Sequence, residues 1–274
     1  MKSLPNFSII IPVFNSENTI MNCVDSVIDQ NYSHKNIEII IVDDCSTDDS
    51  PYILNYLAVN HKGLIKCLKT CENAGPGNAR NIGIDNSTKE WILFLDSDDI
   101  LDPYALKNLS SLSNINDFQI IGYDWSLNTN IEDKVGQRND FSNLSKCRNE
   151  RFLDSLALRM DGSVIFTLFR KDFINNNNLR FFDGFHEDVD FIFKTYFIAE
   201  KVGILNEVIY IKSNLPNSIV NTISIKHING YFRAYLEIYN YISESTKNSS
   251  KWKDHFSIGL VGIVATRIRD IIKS

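Results

Sequence analysis

The sequence predicts an α/β fold in which a mostly parallel sheet is covered by helices on both faces. Three observations carry this. Over the first hundred residues, apolar β-rich runs alternate with segments that have helix-start signals or apolar helical stripes. The lengths suit βαβ units, which place strands side by side with crossover helices. Acidic residues gather where the second and fourth runs end, the edge at which open α/β sheets bind ligands.

Phe7 to Phe14 is the first strand, and Asn15 or Ser16 can cap a following helix striped by Ile20, Val24, Val27 and Ile28. Ile37 to Val42 is the second, ending in Asp43-Asp44. Ser46-Thr47-Asp48-Asp49 then opens a helix containing Ile53, Leu54 and Leu57, with Asp48 suited to a cap. Leu64 to Leu68 is the third strand. Gly75-Pro76-Gly77 makes a tight turn before a helix from Asn78 to Asp85, whose amino end can face phosphate. Trp91 to Leu95 is the fourth strand and delivers Asp96-Ser97-Asp98-Asp99 together.

Beyond the acidic cluster the rhythm changes. A helix runs from Pro103 to about Leu112, Phe118 to Tyr123 is a strand, and the polar stretch Asn128 to Lys146 is a long loop suited to a lid. Ser163 to Phe169 is strand-like, Glu187 to Ala199 has helical spacing, and Val208 to Ile211 is a last strand. Helices from Ile228 to Ser243 and from Lys251 to Ile272 follow. No linker cuts the chain into independent domains. The organisation expected is a domain over 1–215, split into halves 1–100 and 101–215, with a helical extension over 216–274.

Composition excludes several classes. With 274 residues, 43% apolar and 11% aromatic, the chain can bury a full core. A net charge of −6 argues against nucleic acid as a partner, because phosphate-backbone affinity needs clustered Lys and Arg. Cys23, Cys45, Cys67, Cys71 and Cys147 are odd in number and form no CxxC pair, so neither a disulfide framework nor a zinc site is indicated. This fits a cytoplasmic location. The longest apolar stretch near the carboxyl end, Phe256 to Ala265, is shorter than the roughly 20 residues of a spanning helix.

Three carboxylates crowded at one strand end repel and raise each other's pKa unless something neutralises them, and a hard divalent cation carrying phosphates does so. The glycine turn at 75–77 is neither a P-loop nor a dinucleotide fingerprint, since both GxxxxGK[ST] and GxGxxG are missing.

Taken in order, Phe7-Ser8-Ile9-Ile10-Ile11-Pro12-Val13-Phe14-Asn15, Ile41-Val42-Asp43-Asp44-Cys45-Ser46-Thr47-Asp48, Gly77-Asn78-Ala79-Arg80-Asn81-Ile82-Gly83-Ile84, Asp96-Ser97-Asp98-Asp99 and Glu187-Asp188-Val189-Asp190-Phe191 resemble the signature of family 2 glycosyltransferases. The resemblance covers roughly residues 7 to 200, and its strength lies in order and spacing. It implies a GT-A, Rossmann-like fold and an inverting enzyme. The donor would be a UDP-sugar and the acceptor a saccharide or lipid-linked saccharide, in the building of capsule, lipopolysaccharide or another bacterial surface glycan. The two halves of the first domain then become nucleotide-binding and acceptor-binding.

The resemblance also implies roles. Pro12, Phe14 and Asn15 line the pocket of the base, and Asp44 accepts the uracil N–H, unless Asp43 and Asp44 are simply turn residues. Arg80 either contacts the nucleotide diphosphate or partners the nearby carboxylates. Asp96 and Ser97 touch the ribose or sugar. Asp98 ligates Mn²⁺ or Mg²⁺ on the diphosphate, with Asp99 as a second ligand able to exchange roles with it. Asp188 is the base, Glu187 orients the acceptor or its loop, and Asp190 supports them. The same acids would also suit the first turn of any helix. His227 or His186 could complete the metal site. Ser218 falls in a loop that closes over the donor in relatives, where Lys212 and Asn214 stand in place of the usual Arg.

Tyr123 and Trp125 could stack on an acceptor sugar or pack in the core. The carboxyl-terminal helix, apolar with Lys251, Lys253, Arg267, Arg269 and Lys273, could lie on an anionic membrane surface, pack on the catalytic domain or mediate a homodimer. Competing functions are a catalytically silent sugar-nucleotide-binding subunit, a sugar nucleotidyltransferase and a phosphatase. Retention of the metal acids and Asp188 opposes the first. The second lacks an early glycine-rich signature with Arg and Lys, and the third has Ile100 where a Thr or Val is expected.

Overall fold

The computed structural model describes residues 4–127, 136–137, 163–213, 225–245, 256–259 and 261–262. The elements are β1 (Phe7–Val13), α1 (Ile20–Ile28), β2 (Ile37–Asp43), α2 (Ser50–Asn60), β3 (Ile65–Lys69), α3 (Pro76–Asn86) and β4 (Trp91–Phe94), then β5 (Ile100–Leu101) and α4 (Ala105–Ser111). They continue with β6 (Ile120–Leu127), β7 (Gly136–Gln137), β8 (Thr167–Arg170), α5 (Lys171–Asn176), α6 (Glu187–Ile198), β9 (Val202–Lys212) and α7 (Ile225–Ser245). Apart from β7, the expected long loop lies outside the described residues, as do Ser218 and most of the helix from Lys251.

All the strands join one mixed sheet in the order β3-β2-β1-β4-β8-β6-β9-β5, with β7 beside β6. Strands β3, β2, β1 and β4 are parallel, β6 and β9 are parallel, and β8 runs antiparallel between β4 and β6. Every residue of β1 and β4 is buried, as in interior strands with both faces covered. This is why those segments read as unbroken apolar runs. Among the described residues, no helix is long and apolar enough to cross a membrane.

The packing of α3 is set by small residues. A Cβ on Gly83 would stand 2.3 Å from Ile10 Cγ2, so glycine lets this helix lie directly on β1. A Cβ on Gly77 would meet the carbonyl oxygen of Phe182 at 2.6 Å and Glu187 Cγ at 2.8 Å, so the other end lies against the segment that leads into α6. Asn81 fastens that segment by donating to the Phe181 carbonyl at 2.9 Å and accepting the Phe181 N–H at 2.9 Å.

Two expectations change. Neither Asn15 nor Ser16 caps α1 with its side chain: the helix starts later, at Ile20, with Thr19 before it, and the Ser16 carbonyl accepts the Ile20 N–H. Asn15 instead takes a left-handed conformation at φ 51° and turns the chain back toward β2. Tyr123 and Trp125 belong to the interior packing rather than to a sugar platform. The Tyr123 hydroxyl donates to the Ile165 carbonyl at 2.7 Å, and Trp125 stacks on Phe166 at 5.0 Å.

Candidate active site

β1 lies between β2 and β4, and the chain steps from β1 to β2 on one side before returning to β4 on the other. That reversal is a topological switch point, and it opens a crevice at the carboxyl ends of the strands. The turn after β1, the Asp43-Asp44 pair after β2 and the acidic loop after β4 all arrive there. The Ser16 and Ser97 hydroxyls, 2.7 Å apart, join the first of these loops to the last.

The turn after β1 is organised by β2. The Pro12 backbone is paired in register with Val42, and Asn15 donates its N–H to Ser46 Oγ at 3.0 Å while its side-chain oxygen accepts the Thr47 N–H at 2.8 Å. Phe14, between them, is 45% exposed, which leaves an aromatic face at the pocket mouth. Asp43 accepts the Ser46 N–H at 2.9 Å. Asp48 accepts the N–H of Ser50, the first residue of α2, at 3.0 Å, in keeping with a capping role.

Asp44 is 2% exposed and accepts from Thr70 Oγ1 at 2.9 Å, Ala74 N at 3.2 Å and Gly75 N at 2.7 Å. The anion held at the approach to α3 is therefore the protein's own carboxylate, in the place where the sequence allowed a phosphate. Its geometry is that of a turn clamp, and Thr70 is a partner that nothing in the sequence pattern signalled.

Arg80 projects from the buried face of α3, and its guanidinium donates to Asp96 Oδ1 at 2.8 Å and to Glu187 Oε1 at 2.5 Å. It also lies 5.6 Å from the centre of the Phe181 ring. The carboxylate partnership, one of the two roles open to Arg80, is thus present in the structure. Asp96 and the Glu187-Asp188 pair, far apart in sequence, are brought to one place by this side chain.

Within the acidic loop the three carboxylates have different environments. Asp96 is paired. Asp98 is half-buried; burial and then the Asp96 charge hold its pKa above the usual range, against its own backbone N–H and the pull of Lys212. Asp99 is 2% exposed and accepts from the Tyr210 hydroxyl and the Ser213 N–H, each at 2.6 Å. Asp99, expected as a second metal ligand, is thus buried, with one donor from the protein on each of its oxygens.

Asp188 stands in the first turn of α6, half-buried. Burial and the adjacent Glu187 push its pKa up, Arg80 opposes them, and Asp96 adds to the rise. Asp190 is fully buried and bonded to Lys194 at 2.9 Å, so it anchors the helix instead of facing the crevice. His186 precedes the helix at φ 59° with its ring stacked on Tyr231 at 3.6 Å. His227 falls within α7, but its side chain lies outside the described residues.

Among the described residues no group of three or more His, Cys, Asp or Glu is arranged to hold a metal. Asp98 fits a different kind of site, in which one or two carboxylates hold a hard cation and substrate phosphates complete its coordination.

Comparison with known proteins gives a consistent result. The poly(ribitol-phosphate) β-glucosyltransferase of Bacillus spizizenii is 41% identical over 113 residues, which is 41% of this chain and 18% of that protein. The chain therefore spans less than a fifth of that relative. The poly(ribitol-phosphate) β-N-acetylglucosaminyltransferase TarP of Staphylococcus aureus is 28% identical over 273 residues, 95% of this chain and 78% of that one. A crystal structure of residues 1–349 of S. aureus TarS in complex with UDP-GlcNAc has the same fold, with a TM-score of 0.69 at 22% identity over 86% of this chain and 67% of that one. The family model described as glycosyl transferase family 2 matches residues 8–175, more than half of the 274 residues, and the chain belongs to that family.

Proposed function

We propose that this chain is an inverting glycosyltransferase that moves a sugar from a UDP-sugar to the hydroxyl of a glycan or lipid-linked acceptor. The observation that carries the reading is the bridge from Asp96 through Arg80 to Glu187, which sets the acidic loop and Asp188 on either side of one cation. A donor diphosphate lying at the acidic loop would then present its sugar toward the first turn of α6. The names of the relatives support a glucosyl or N-acetylglucosaminyl donor and a polyol-phosphate polymer of the bacterial surface as acceptor.

Asp98 would hold Mn²⁺ or Mg²⁺ together with the two phosphates. A bound cation acts as a Lewis acid and offsets the negative charge that grows on the departing diphosphate. Asp96 and Ser97 border the position of the ribose and sugar, and the turn of Pro12, Phe14 and Asn15 borders that of the base. Asp188 takes the proton of the acceptor hydroxyl, late, as the new bond forms. Its raised pKa makes it a better match to an alcohol than an ordinary carboxylate of about 3.9. Glu187 is held by Arg80 and fixes the turn on which Asp188 stands.

The test is release of UDP from UDP-GlcNAc and from UDP-glucose with Mn²⁺ and a poly(ribitol phosphate) acceptor. Asp188→Asn should lose turnover and keep UDP binding by calorimetry. Full activity in that variant would remove Asp188 from the role of base. UDP binding with no transfer by the unaltered chain, across a panel of acceptors, would favour a silent binding subunit.

A further inference from the structure

Tyr210 occupies β9, on the far side of the sheet order from β1, yet its hydroxyl reaches the acidic loop twice. It accepts the N–H of Asp96 at 3.1 Å and donates to Asp99 Oδ2 at 2.6 Å. A phenol has one hydrogen to give, so these two contacts fix its orientation. The first and last residues of Asp96-Ser97-Asp98-Asp99 are thereby clamped on one oxygen atom.

The clamp is rigid on both sides. Tyr210 is fully buried, with its ring edge-on to Phe166 at 5.9 Å. Asp99 Oδ1 accepts the Ser213 N–H at 2.6 Å. The short strand β5 follows at once and pairs with β9, Leu101 opposite Tyr210 and Ile100 opposite Ile211, and the Asp102 N–H continues the ladder to the Ile209 carbonyl at 3.0 Å.

We infer that Tyr210 and Asp99 are a pair of positioning residues that set Asp98 toward the donor diphosphate, and that Asp99 is not itself a ligand. The inference rests on the metal reading above. A ligand must turn a lone pair toward the ion, whereas the Asp99 carboxylate is closed off by burial and by two donors from β9 and its end. Asp98 lies between the two clamped residues, half-buried, with neither of the clamp's hydrogen bonds falling on its own carboxylate. Residues that orient a ligand in this way typically contribute about ten- to a hundredfold to metal affinity.

The experiment measures Mn²⁺ bound in the presence of UDP, by electron paramagnetic resonance of the free ion, on the unaltered chain and on Tyr210→Phe, Asp99→Asn, their double variant and Asp98→Asn. Thermal melting reports whether each is folded. Tyr210→Phe and Asp99→Asn should each raise the half-saturating Mn²⁺ concentration about tenfold, and the double variant should cost less than the product of the two, because they share the hydrogen bond between them. UDP binding in chelator should stay unchanged in the Tyr210 and Asp99 variants, which separates positioning from a general loss of structure. Asp98→Asn should bind no Mn²⁺ in the measured range.

An unaltered Mn²⁺ requirement in Tyr210→Phe would overturn the inference. So would an Asp99→Asn as severe as Asp98→Asn beside an innocuous Tyr210→Phe, which would make Asp99 a ligand. Should Tyr210→Phe fail to fold, Asp99→Asn against Asp98→Asn decides the matter. Absence of UDP-dependent Mn²⁺ binding in the unaltered chain would instead overturn the metal reading, and this inference with it.

Discussion

Arg80 donates to Glu187 at 2.5 Å across 107 positions of sequence, and both side chains are nearly sealed from solvent. The contact joins α3 to α6, and the second arm of the same guanidinium joins both to Asp96. Removing one member of a buried charge group costs about 3–5 kcal/mol, because the remaining charges are left without compensation. Arg80→Ala should therefore lower stability in urea unfolding by an amount of that order. Arg80→Lys keeps the charge and loses the fork that reaches two carboxylates at once, so it should fold and still lose much of its transfer rate.

The Arg80 environment also predicts a pH response. Asp188 is the base only when deprotonated, and its pKa lies above the ordinary carboxylate range, so activity should fall on the acid side at a higher pH than an unperturbed Asp would give. Glu187 is the largest charge that raises it. Glu187→Gln removes that anion and retains an oxygen for Arg80, so the acid limb of kcat/KM should move to lower pH. A limb that stays where it was, in a folded variant, would separate the pH dependence from Asp188.

Metal dependence is the third expectation. The pKa of Asp98 is raised by burial and by Asp96, and a divalent ion reverses both effects. Asp98→Asn should reduce transfer by a hundredfold or more, on the scale of losing one preorganised charge stabiliser, about 10²–10³ in rate. The measurement is the initial rate of UDP release against Mn²⁺ concentration. A variant that responds to Mn²⁺ as the unaltered chain does would remove Asp98 from the metal.

The elements at the crevice were legible because each is local. The runs before Asn15, Asp44 and Asp96 are apolar at nearly every position, which requires burial on both faces. Their acidic ends then had to meet at one edge. What the sequence could not convey is which partner each charged group finds. Arg80 had two roles of equal standing, and only the approach of Glu187, far along the chain, decides between them. Asp98 and Asp99 are adjacent and chemically identical; their surroundings differ through Tyr210 on β9 and Ser213 just past its end, and β9 is a strand whose half-exposed pattern gave little signal and whose expected span began at Val208 instead of Val202. β5 is two residues long and has no periodicity to detect.

The two glycines of α3 offer the last expectation, because one helix carries a structural contact at one end and a functional one at the other. Alanine at Gly83 would press on Ile10, an interior β1 residue, and overpacking of this kind costs about 1–3 kcal/mol. Its effect should be read in the melting temperature, with the rate per folded molecule preserved. Alanine at Gly77 would press on the Phe182 carbonyl and on the Glu187 side chain. Backbone cannot yield as a flexible side chain does, so the segment before α6 must shift and carry Asp188 with it. Gly77→Ala should therefore reduce kcat more than it reduces stability, the reverse of Gly83→Ala. Equal losses of kcat in the two variants, measured on folded protein, would show that the approach of α3 to α6 does not set the position of the base.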